Sequence, residues 1–401
     1  MPTGMIDRRR LIAGAGLAAS ALALPRFAWS AVPTDRRLLV VILRGAMDGL
    51  SAAPAHGDPA FESARNGLAI PRPGQPGGAL DLDGFFGLNP ALTGLAGRYA
   101  RKQLVVVHAT ASPYRDRSHF DAQNLLENGS PRPYGLDDGW LNRALGGLPP
   151  AARGGRKDLG VAVAASMPLM LRGPSPVTSW SPSLLPSPDA GLIGRTQALY
   201  AAADPQLAAA LSAASDAQAQ AVGMGKGQDN FPALMAAAAR FLTAPDGPCV
   251  AVVESSGWDT HAGQTGEYSA LQRNLKGLDA GVEALAAGLG EDAWSRTAVL
   301  AVTEFGRTVA MNGTGGSDHG TAGAAFLVGG AVNGGRVLAD WPGLKPDDLY
   351  QGRDLRPTAD LRSLFKAALR DHMGVDEARL EREVFPDSSS AKPTDGLFRA
   401  A

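Results

Sequence analysis

The chain has 401 residues, of which 45% are hydrophobic and 19% are charged, and this is enough for a large hydrophobic core. Its formal net charge of −1 disfavours nucleic acid and an electrostatically bound membrane surface as partners. Cys249 is the only cysteine, so a disulfide framework and a cysteine-based metal cluster are both excluded.

Residues 1–30 have the pattern of a twin-arginine signal peptide. The basic run Arg8–Arg10 precedes an apolar stretch that continues to Leu24, and a cleavage pattern with small residues at 28 and 30 follows. A membrane anchor is the alternative, but the apolar stretch is short and rich in Ala and Gly. No later run is long enough to form a stable membrane span. The sequence therefore predicts a single domain over residues 31–401 that is periplasmic or secreted.

The first part of this domain predicts two buried strands, each followed by polar residues. Residues 38–43 and 104–108 are continuous apolar runs, which are typical of strands buried on both faces. Asp48 follows the first run in a glycine-rich turn, either as a ligand in a site loop or as an ordinary turn residue. After the second run, Ser118 is predicted to begin a helix that extends through Glu127.

Ser118 and His119 stand at the N-terminus of this predicted helix, and Arg115 comes shortly before them. The partial positive charge of a helix N-terminus favours a bound anion or an activated nucleophile. Ser118 is therefore a candidate nucleophile, His119 a candidate acid or substrate contact, and Arg115 a candidate for oxyanion binding. Simple N-capping by Ser118 and a solvated Arg115 account for the same residues equally well.

The middle of the chain carries few signals of chemistry. Residues 131–190 are rich in Pro, Gly and Ser around a short apolar run at 161–165, which predicts loops and small elements. Residues 192–243 are rich in Ala and predict packing helices, interrupted at Pro205 and near residue 224.

The last third alternates strands with helices, which predicts a mostly parallel sheet covered on both faces. Strands are predicted at 250–253, 298–302 and 324–328, and helices at 268–289 and 360–372. Ligands of such folds lie at the carboxyl ends of the strands. The tail from Pro386 is predicted to be loosely ordered.

Ligand-type residues follow two of these strands. Asp259 and His261 are two residues apart, so both point to one side of an extended segment and can reach one divalent ion. A local hydrogen bond within a turn is the alternative. Glu304 follows a buried strand directly, where a carboxylate needs either a metal ion or an ion pair with Arg307. Arg307 could instead bind an anionic substrate group.

The glycine-rich loop before the last of these strands contains Asp318 and His319. Glycine lets the backbone approach a ligand closely, and His319 is favoured as a metal ligand. Asp318 fits a ligand and a turn residue equally well. The sequence contains no P-loop, no G-x-G-x-x-G after a strand and no G-x-S-x-G elbow, which disfavours nucleotide binding and the common serine-hydrolase site.

Taken together, these motifs resemble an exported bacterial family, the domain of unknown function 1501. They run in the order L-R-G-A-M-D-G-L-S, R-S-H-F-D-A-Q-N-L-L-E-N-G, G-W-D-T-H, T-E-F-G-R-T, S-D-H-G-T-A and F-L-V-G-G. That family is similar in fold to the alkaline phosphatase superfamily, which includes sulfatases. The resemblance implies an α/β fold of that type, a three-layer α/β/α sandwich with a mostly parallel central sheet and a metal site at the strand ends.

The resemblance also implies roles for the site residues. Ser118 and His119 would be catalytic, and Arg115 and Arg307 would bind the ester. The implied metal ligands are Asp48, Asp259, His261, Glu304 and His319. Glu304-Phe305 stands where related enzymes carry a pair of ligands, so one divalent ion (Zn, Mn, Mg or Ca) is favoured over two.

The function expected on this basis is an exported metal-dependent hydrolase of phosphate or sulfate esters. Its substrate would be an anionic small molecule or an anionic polymer. The alternative is a catalytically degenerate binding or assembly factor on the same fold, which would act on an exported partner protein.

Overall fold

A nine-stranded sheet forms the centre of the structure, a computed structural model that describes residues 35–182, 189–220 and 230–400. The described residues from Asp35 onward belong to one compact unit. The predicted signal segment, residues 1–30, lies outside the described residues. Among the helices of the described ranges, none is long and apolar enough to cross a membrane.

Strands of two to eight residues run through the described part of the chain. In chain order they are β1 (Arg37–Leu43), β2 (Leu80–Asp81), β3 (Gly87–Leu88), β4 (Leu104–Ala111), β5 (Gly160–Val163), β6 (Val177–Trp180), β7 (Val250–Ser255), β8 (Thr297–Val302), β9 (Gly323–Val328), β10 (Arg336–Leu338) and β11 (Ala359–Asp360). The strands β2 and β3 pair with each other in a small antiparallel sheet.

The large sheet has the strand order β10-β4-β9-β8-β1-β7-β5-β6, and β11 pairs with β4. The strand β9 runs antiparallel to both β8 and β4, and the other described pairings in this sheet are parallel. The N-terminal end of β9 therefore lies at the same edge of the sheet as the carboxyl ends of β1, β4, β7 and β8. This edge is where a parallel sheet places its ligands.

Helices occupy most of the remaining described chain. They are α1 (Gly49–Ala52), α2 (Phe61–Arg65), α3 (Thr93–Ala100), α4 (His119–Asn128), α5 (Trp140–Leu145), α6 (Pro150–Arg153), α7 (Ala190–Ala203), α8 (Pro205–Gln220), α9 (Phe231–Thr243), α10 (Ala270–Ser295), α11 (Leu361–Ala367) and α12 (Glu377–Arg379). Short π-helical turns follow α11 and α12, at Ala368–His372 and Leu380–Val384. Single 3-10 turns lie at Asn66–Leu68, Leu169–Leu171 and Pro346–Asp348.

The two faces of β1 bury their side chains in different hydrophobic cores. Leu39 and Val41 belong to a core that includes apolar residues of α3, α9 and α10. Leu38 and Val40 belong to a second core, with residues of α5 and α11. Since successive strand residues point to opposite faces, the sheet lies between two helical layers. The predicted three-layer α/β/α sandwich with a mostly parallel sheet is confirmed.

The C-terminal tail differs from its prediction of loose order. The Arg399 amide donates to the Ala331 carbonyl at 2.9 Å, Phe398 forms a β-bridge with Val332, and Leu397 is fully buried. Leu397 and Phe398 give the tail apolar surface to bury, and the segment that it pairs with lies more than sixty residues earlier in the chain. Local composition cannot indicate such a distant pairing.

The buried His372 leads to a prediction about acid stability. Its ring donates from Nε2 to the Arg37 carbonyl at 2.8 Å and stacks on Phe398. Burial lowers the pKa of His372 to about 4. As the pH falls, the unfolded chain binds a proton at His372 near pH 6.5, whereas the folded protein binds it only at a lower pH. The contribution of the neutral ring to the free energy of unfolding is therefore complete above about pH 6.5 and is lost as the pH falls towards 4. Complete protonation of His372 would lower the free energy of unfolding by about 3 kcal/mol.

A His372→Phe variant should consequently lose less stability than the wild type between pH 7 and pH 4.5, even if it is less stable at pH 7. Urea unfolding at several pH values measures how steeply the free energy of unfolding depends on pH in each of the two proteins. Equal slopes for the two proteins would contradict the assignment of His372 as a buried neutral residue.

Candidate metal centre

Three of the six histidines meet at the carboxyl edge of the sheet. His119 opens α4 after β4, His261 follows β7, and His319 precedes β9. The Nε2 atom of His319 lies 3.0 Å from the Nε2 atom of His119 and 3.0 Å from that of His261. Three ring nitrogens thus converge on one small volume.

Asp259 adds a carboxylate to the same volume. Its Oδ1 atom lies 3.0 Å from the Nε2 atom of His261 and 3.4 Å from that of His319, and its Oδ2 atom lies 3.4 Å from the Nε2 atom of His119. The ligand atoms of His119, Asp259 and His319 all lie within 4.8 Å of one another. We call His119, Asp259, His261 and His319 the ligand cluster.

The other ring nitrogen of each histidine faces an acceptor. His119 Nδ1 lies 2.8 Å from a Glu304 oxygen, and His261 Nδ1 lies 3.1 Å from an Asp318 oxygen. His319 Nδ1 lies 3.0 Å from the backbone carbonyl of Arg117. These acceptors cannot donate, so in the neutral rings the proton is placed on Nδ1 and the lone pair on Nε2.

This arrangement fits a bound divalent cation. Three neutral Nε2 lone pairs that face one another cannot hydrogen-bond without an added proton, whereas one cation satisfies all three. Ligands about 2.0 Å from a tetrahedral zinc ion lie roughly 3.3 Å from one another, which is close to the spacing of the ligand cluster. Outer acceptors that fix the histidine tautomer are also the usual surroundings of metal-binding histidines.

The ligand cluster is open to solvent on one side. The side chains of Asp259 and His261 are 42% and 46% exposed, while those of His119 and His319 are 23% and 27% exposed. A small molecule can therefore approach along the side of Asp259 and His261, while the other two histidines back the cluster. The cluster is therefore accessible from solvent on this side.

Charges around the cluster are balanced by buried partners. Burial is the largest single influence on Asp259 and raises its pKa, but the hydrogen bond and charge of Arg307, together with His261 and His119, outweigh it and the pKa is lowered. Glu304 behaves in the same way: burial raises its pKa, but hydrogen bonds from His119 and Gln123 and from backbone amides together outweigh burial and lower the pKa. Both carboxylates are therefore ionised at neutral pH, and their negative charge favours a cation at the cluster.

Glycines let the loops of the cluster pack against one another through their backbones. Gly45 has a φ of 117°, and a Cβ atom there would lie 2.6 Å from the backbone nitrogen of Asp259. A Cβ atom on Gly306 would lie 1.8 Å from the Ala322 carbonyl oxygen. The glycines of these motifs hence allow one backbone segment to approach another closely.

Among the described residues, no hydrogen bond or ion pair joins Asp48 to the ligand cluster. It caps α1, where its Oδ1 atom accepts from the amides of Leu50 and Ser51 at 3.1 and 3.2 Å. Its Oδ2 atom forms an ion pair with Arg65 and accepts from the Gln264 side chain. Both carboxylate oxygens accept hydrogen bonds from protein groups. This geometry fits Asp48 as a buried anion and not as a metal ligand.

Glu304 lies behind His119. Its Oε1 atom accepts from the Gly45 amide at 2.9 Å, the Gln123 side chain at 2.9 Å and His119 Nδ1. The carboxylate is fully buried. It therefore holds His119 in place from outside the ligand cluster, and Arg307, the ion-pair partner expected from the sequence, binds Asp259 instead.

Ser118 is the N-cap residue of α4, but its side chain makes no capping hydrogen bond. The phenol of the nearby Tyr114 donates to Asp121 at 3.0 Å. Within the described part of the chain, no hydrogen bond joins Ser118 to the ligand cluster. His119, predicted beside it as a catalytic residue, stands in the position of a ligand.

The two arginines predicted to bind substrate are turned towards the protein. The Arg115 guanidinium donates to the backbone carbonyls of Ser112 and Tyr114. The Arg307 side chain is completely buried and donates to Asp259 and to the Ser317 hydroxyl. The described hydrogen bonds of both guanidinium groups go to acceptors of the protein.

Two contacts of the metal centre were not predicted from the sequence. Gln123 lies one helical turn after His119 and donates to Glu304, so the spacing on α4 was a usable signal. The Arg117 carbonyl gave no signal, because a backbone acceptor has no sequence signature. Arg117 has a φ of 62°, an unusual backbone conformation for a residue other than glycine, next to the carbonyl that holds His319.

A family profile described as a protein of unknown function, DUF1501, matches residues 102–385. The matched segment spans His119, Asp259, His261, Glu304 and His319, that is, the whole ligand cluster and Glu304. The chain belongs to the DUF1501 family. The resemblance seen in the sequence motifs is thereby confirmed. No curated protein matches the chain.

Several solved structures are similar to this DUF1501 protein. The C-terminal periplasmic domain of EcEptC from Escherichia coli, in complex with Zn, has a TM-score of 0.41 and 12% identity, with 88% of this chain and 87% of that one covered. Alkaline phosphatase from the Antarctic bacterium TAB5 has a TM-score of 0.34 and 14% identity, covering 74% and 92%. Phosphonate monoester hydrolase of Agrobacterium radiobacter has a TM-score of 0.32 and 12% identity, covering 85% and 74%.

Glu304 offers a direct test of the centre. In Glu304→Gln the side chain keeps its size and a carbonyl oxygen for the same donors, but it loses the charge that makes His119 a better ligand. We expect zinc affinity, measured by competition with a chelator, to fall by roughly 10–100-fold. Glu127→Gln is the control, since Glu127 is a buried carboxylate on the same helix that pairs with Arg44. An unchanged zinc affinity in Glu304→Gln would contradict the role given to this residue.

Proposed function

We propose that this DUF1501 protein is an exported metal-dependent hydrolase of phosphate or sulfate esters. The observation that carries the proposal is the convergence of three histidine Nε2 atoms and the Asp259 carboxylate at 3.0–3.4 Å, open to solvent, at the carboxyl edge of the sheet. Nitrogen-rich ligands of this kind favour Zn²⁺ over Mg²⁺ and Ca²⁺, which prefer oxygen. One ion is proposed.

His119, His261 and His319 would hold the ion, with Asp259 as a further ligand. A divalent cation bound there supplies a Lewis acid that polarises an ester oxygen and lowers the pKa of water. The protein residues keep the site in order: Glu304, Asp318 and the Arg117 carbonyl fix the three rings, and Arg307 holds Asp259. An anionic ester is the substrate class that a cationic centre of this kind attracts.

A water molecule is proposed as the nucleophile in place of Ser118. Within the described residues, no hydrogen bond joins the Ser118 hydroxyl to the ligand cluster. A Ser118→Ala variant should therefore keep the hydrolytic activity of the wild type, whereas a serine nucleophile would require that the activity be lost.

Export through the twin-arginine pathway is proposed from residues 1–30. The test is the mass and location of the mature chain in a host that expresses the full sequence. Replacement of Arg8 and Arg9 by lysine should keep the protein in the cytoplasm, because the pathway reads the arginine pair. Unchanged export of that variant would contradict the proposal.

A catalytically degenerate binding or assembly factor is the second candidate. One feature of the centre favours it: three histidines and Asp259 supply four ligands, enough to close a tetrahedral coordination sphere as in structural zinc sites. Such a protein would bind the ion and an exported partner without turnover.

Substrate screening with the zinc-loaded mature protein separates the two candidates. Aryl phosphates, aryl phosphodiesters and aryl sulfates would be tested beside a His319→Ala variant. Turnover that is absent in the variant supports the hydrolase. A protein that binds zinc but hydrolyses none of the three classes would favour the binding factor.

A further inference from the structure

A buried amide, Gln264, lies beneath the two loops that carry most of the ligand cluster. It is 2% exposed and follows His261 by three residues. Its Oε1 atom accepts from the Thr260 hydroxyl at 2.9 Å and from the Ser317 hydroxyl at 2.6 Å. Thr260 stands between the ligands Asp259 and His261, and Ser317 stands two residues before the ligand His319.

The amide nitrogen of Gln264 is tied to a different part of the protein. It donates to the Asp48 carboxylate and to the Ser51 hydroxyl, the latter at 3.1 Å. Asp48 is itself held by the buried Arg65 guanidinium. Because an ionised carboxylate only accepts, the NH₂ group must face Asp48 and the carbonyl must face Thr260 and Ser317. The amide therefore has one orientation with all of these contacts satisfied.

Ser317 continues the network to the ligands. Its hydroxyl donates to Gln264, and the Arg307 guanidinium donates to that hydroxyl at 3.3 Å and to the Ser317 carbonyl. Arg307 in turn binds the Asp259 carboxylate. A continuous buried path thus joins Arg65 and Asp48, through Gln264 and Ser317, to the cluster.

We propose that Gln264 is a positioning residue that sets the separation between the loop of His261 and the loop of His319. The proposal rests on the metal centre described above and adds a residue that touches none of its ligands. Gln264 joins the two loops through hydroxyl groups next to the ligands, and the Ser317 amide also donates to the Thr260 carbonyl at 3.2 Å. Loss of the Gln264 side chain would remove the side-chain link and change the 3.0 Å separation of the His261 and His319 Nε2 atoms.

Co²⁺ binding tests this role, since its visible absorption reports the arrangement of the ligands and requires no turnover. In Gln264→Leu, a substitution of similar size, we expect Co²⁺ affinity to fall by roughly 10–100-fold, the range for loss of an outer partner of a metal ligand. The absorption spectrum should also change in shape. Thr260→Val and Ser317→Ala each remove one of the two hydroxyl contacts, and each should produce a smaller change in the same direction.

Asn142→Leu is the matched control. Asn142 is also a fully buried amide, and it bonds to the carbonyls of Leu171 and Ser175 and to the Ser175 amide, none of which belongs to the cluster. Its loss should lower stability and leave the Co²⁺ spectrum and affinity unchanged. This comparison separates positioning of the ligands from general destabilisation.

The outcomes distinguish this inference from the proposed function. A wild-type protein that binds no Co²⁺ would overturn both. A wild-type protein that binds Co²⁺, with Gln264→Leu, Thr260→Val and Ser317→Ala all showing the wild-type spectrum and affinity, would overturn the role of Gln264 alone. If Gln264→Leu does not fold, the two hydroxyl variants decide the question.

Discussion

Replacement of His319 by alanine is expected to abolish tight binding of a divalent ion. His319 is the central member of the ligand cluster, since its Nε2 atom lies 3.0 Å from those of both other histidines and 3.4 Å from Asp259. Its loss removes one ligand and leaves Asp259 as the only member of the cluster that lies within 3.4 Å of both remaining rings. The fall in zinc affinity should exceed the roughly 10–100-fold that loss of an outer partner causes.

The control for this variant is His56→Ala. His56 is a buried histidine that lies near Asp81, outside the cluster. Zinc titration of both variants by calorimetry would show one ion per chain for His56→Ala and no tight binding for His319→Ala. Wild-type affinity in His319→Ala would exclude the cluster as the metal site.

Replacement of Asp48 by alanine is expected to destabilise the fold by roughly 3–5 kcal/mol. Asp48 and Arg65 are both fully or almost fully buried, and Arg65 also donates to the Thr308 and Val309 carbonyls. Without the carboxylate the guanidinium stays buried without a counter-charge, which costs much more than the pair itself contributes. Urea unfolding of the metal-free protein measures the difference in free energy.

The double variant Asp48→Leu with Arg65→Met is the matched control. It replaces both charges by apolar side chains, and buried ion pairs exchanged in this way often lose little stability. It should be clearly more stable than Asp48→Ala. If Asp48→Ala instead unfolds like the wild type but loses zinc, Asp48 is a ligand after all and its role as a buried counter-ion is wrong.

The central strands were predictable because their sequences are continuous apolar runs. The strands β1, β4, β7, β8 and β9 carry fully buried patterns at most of their positions. The strands β6, β10 and β11 were not predicted, since they are two to four residues long and only partly buried. Such edge strands depend on their neighbours for pairing more than on their own sequence.

The meeting of His261, Glu304 and His319 at one edge follows from the observed sheet, because these residues follow β7 and β8 and precede the antiparallel β9. The sequence predicted a mostly parallel sheet and did not indicate that β9 is antiparallel. The individual roles did not follow. Whether Glu304 contacts a metal ion or the His119 ring depends on a distance of a few ångströms. The spacing of motifs along the sequence does not determine that distance.

The placement of Asp48 shows why a motif residue can leave its expected role. Its sequence surroundings, with glycine on one side and a strand before it, fit a ligand loop and a helix cap alike. The ion pair with Arg65 holds Asp48 in the position of a buried helix cap, and Arg65 lies 17 residues away on another helix. No local pattern indicates that this arginine turns inward to meet the carboxylate.

The metal content of the mature protein decides whether the ligand cluster is a metal centre. The protein would be expressed in full, purified after export without chelator, and measured by elemental analysis and by X-ray absorption at the metal edge. We predict one divalent ion per chain, with zinc favoured, and a spectrum dominated by imidazole nitrogen. A protein that carries no ion, and takes up none from an equimolar zinc solution, would show that the three histidines and Asp259 do not form such a centre.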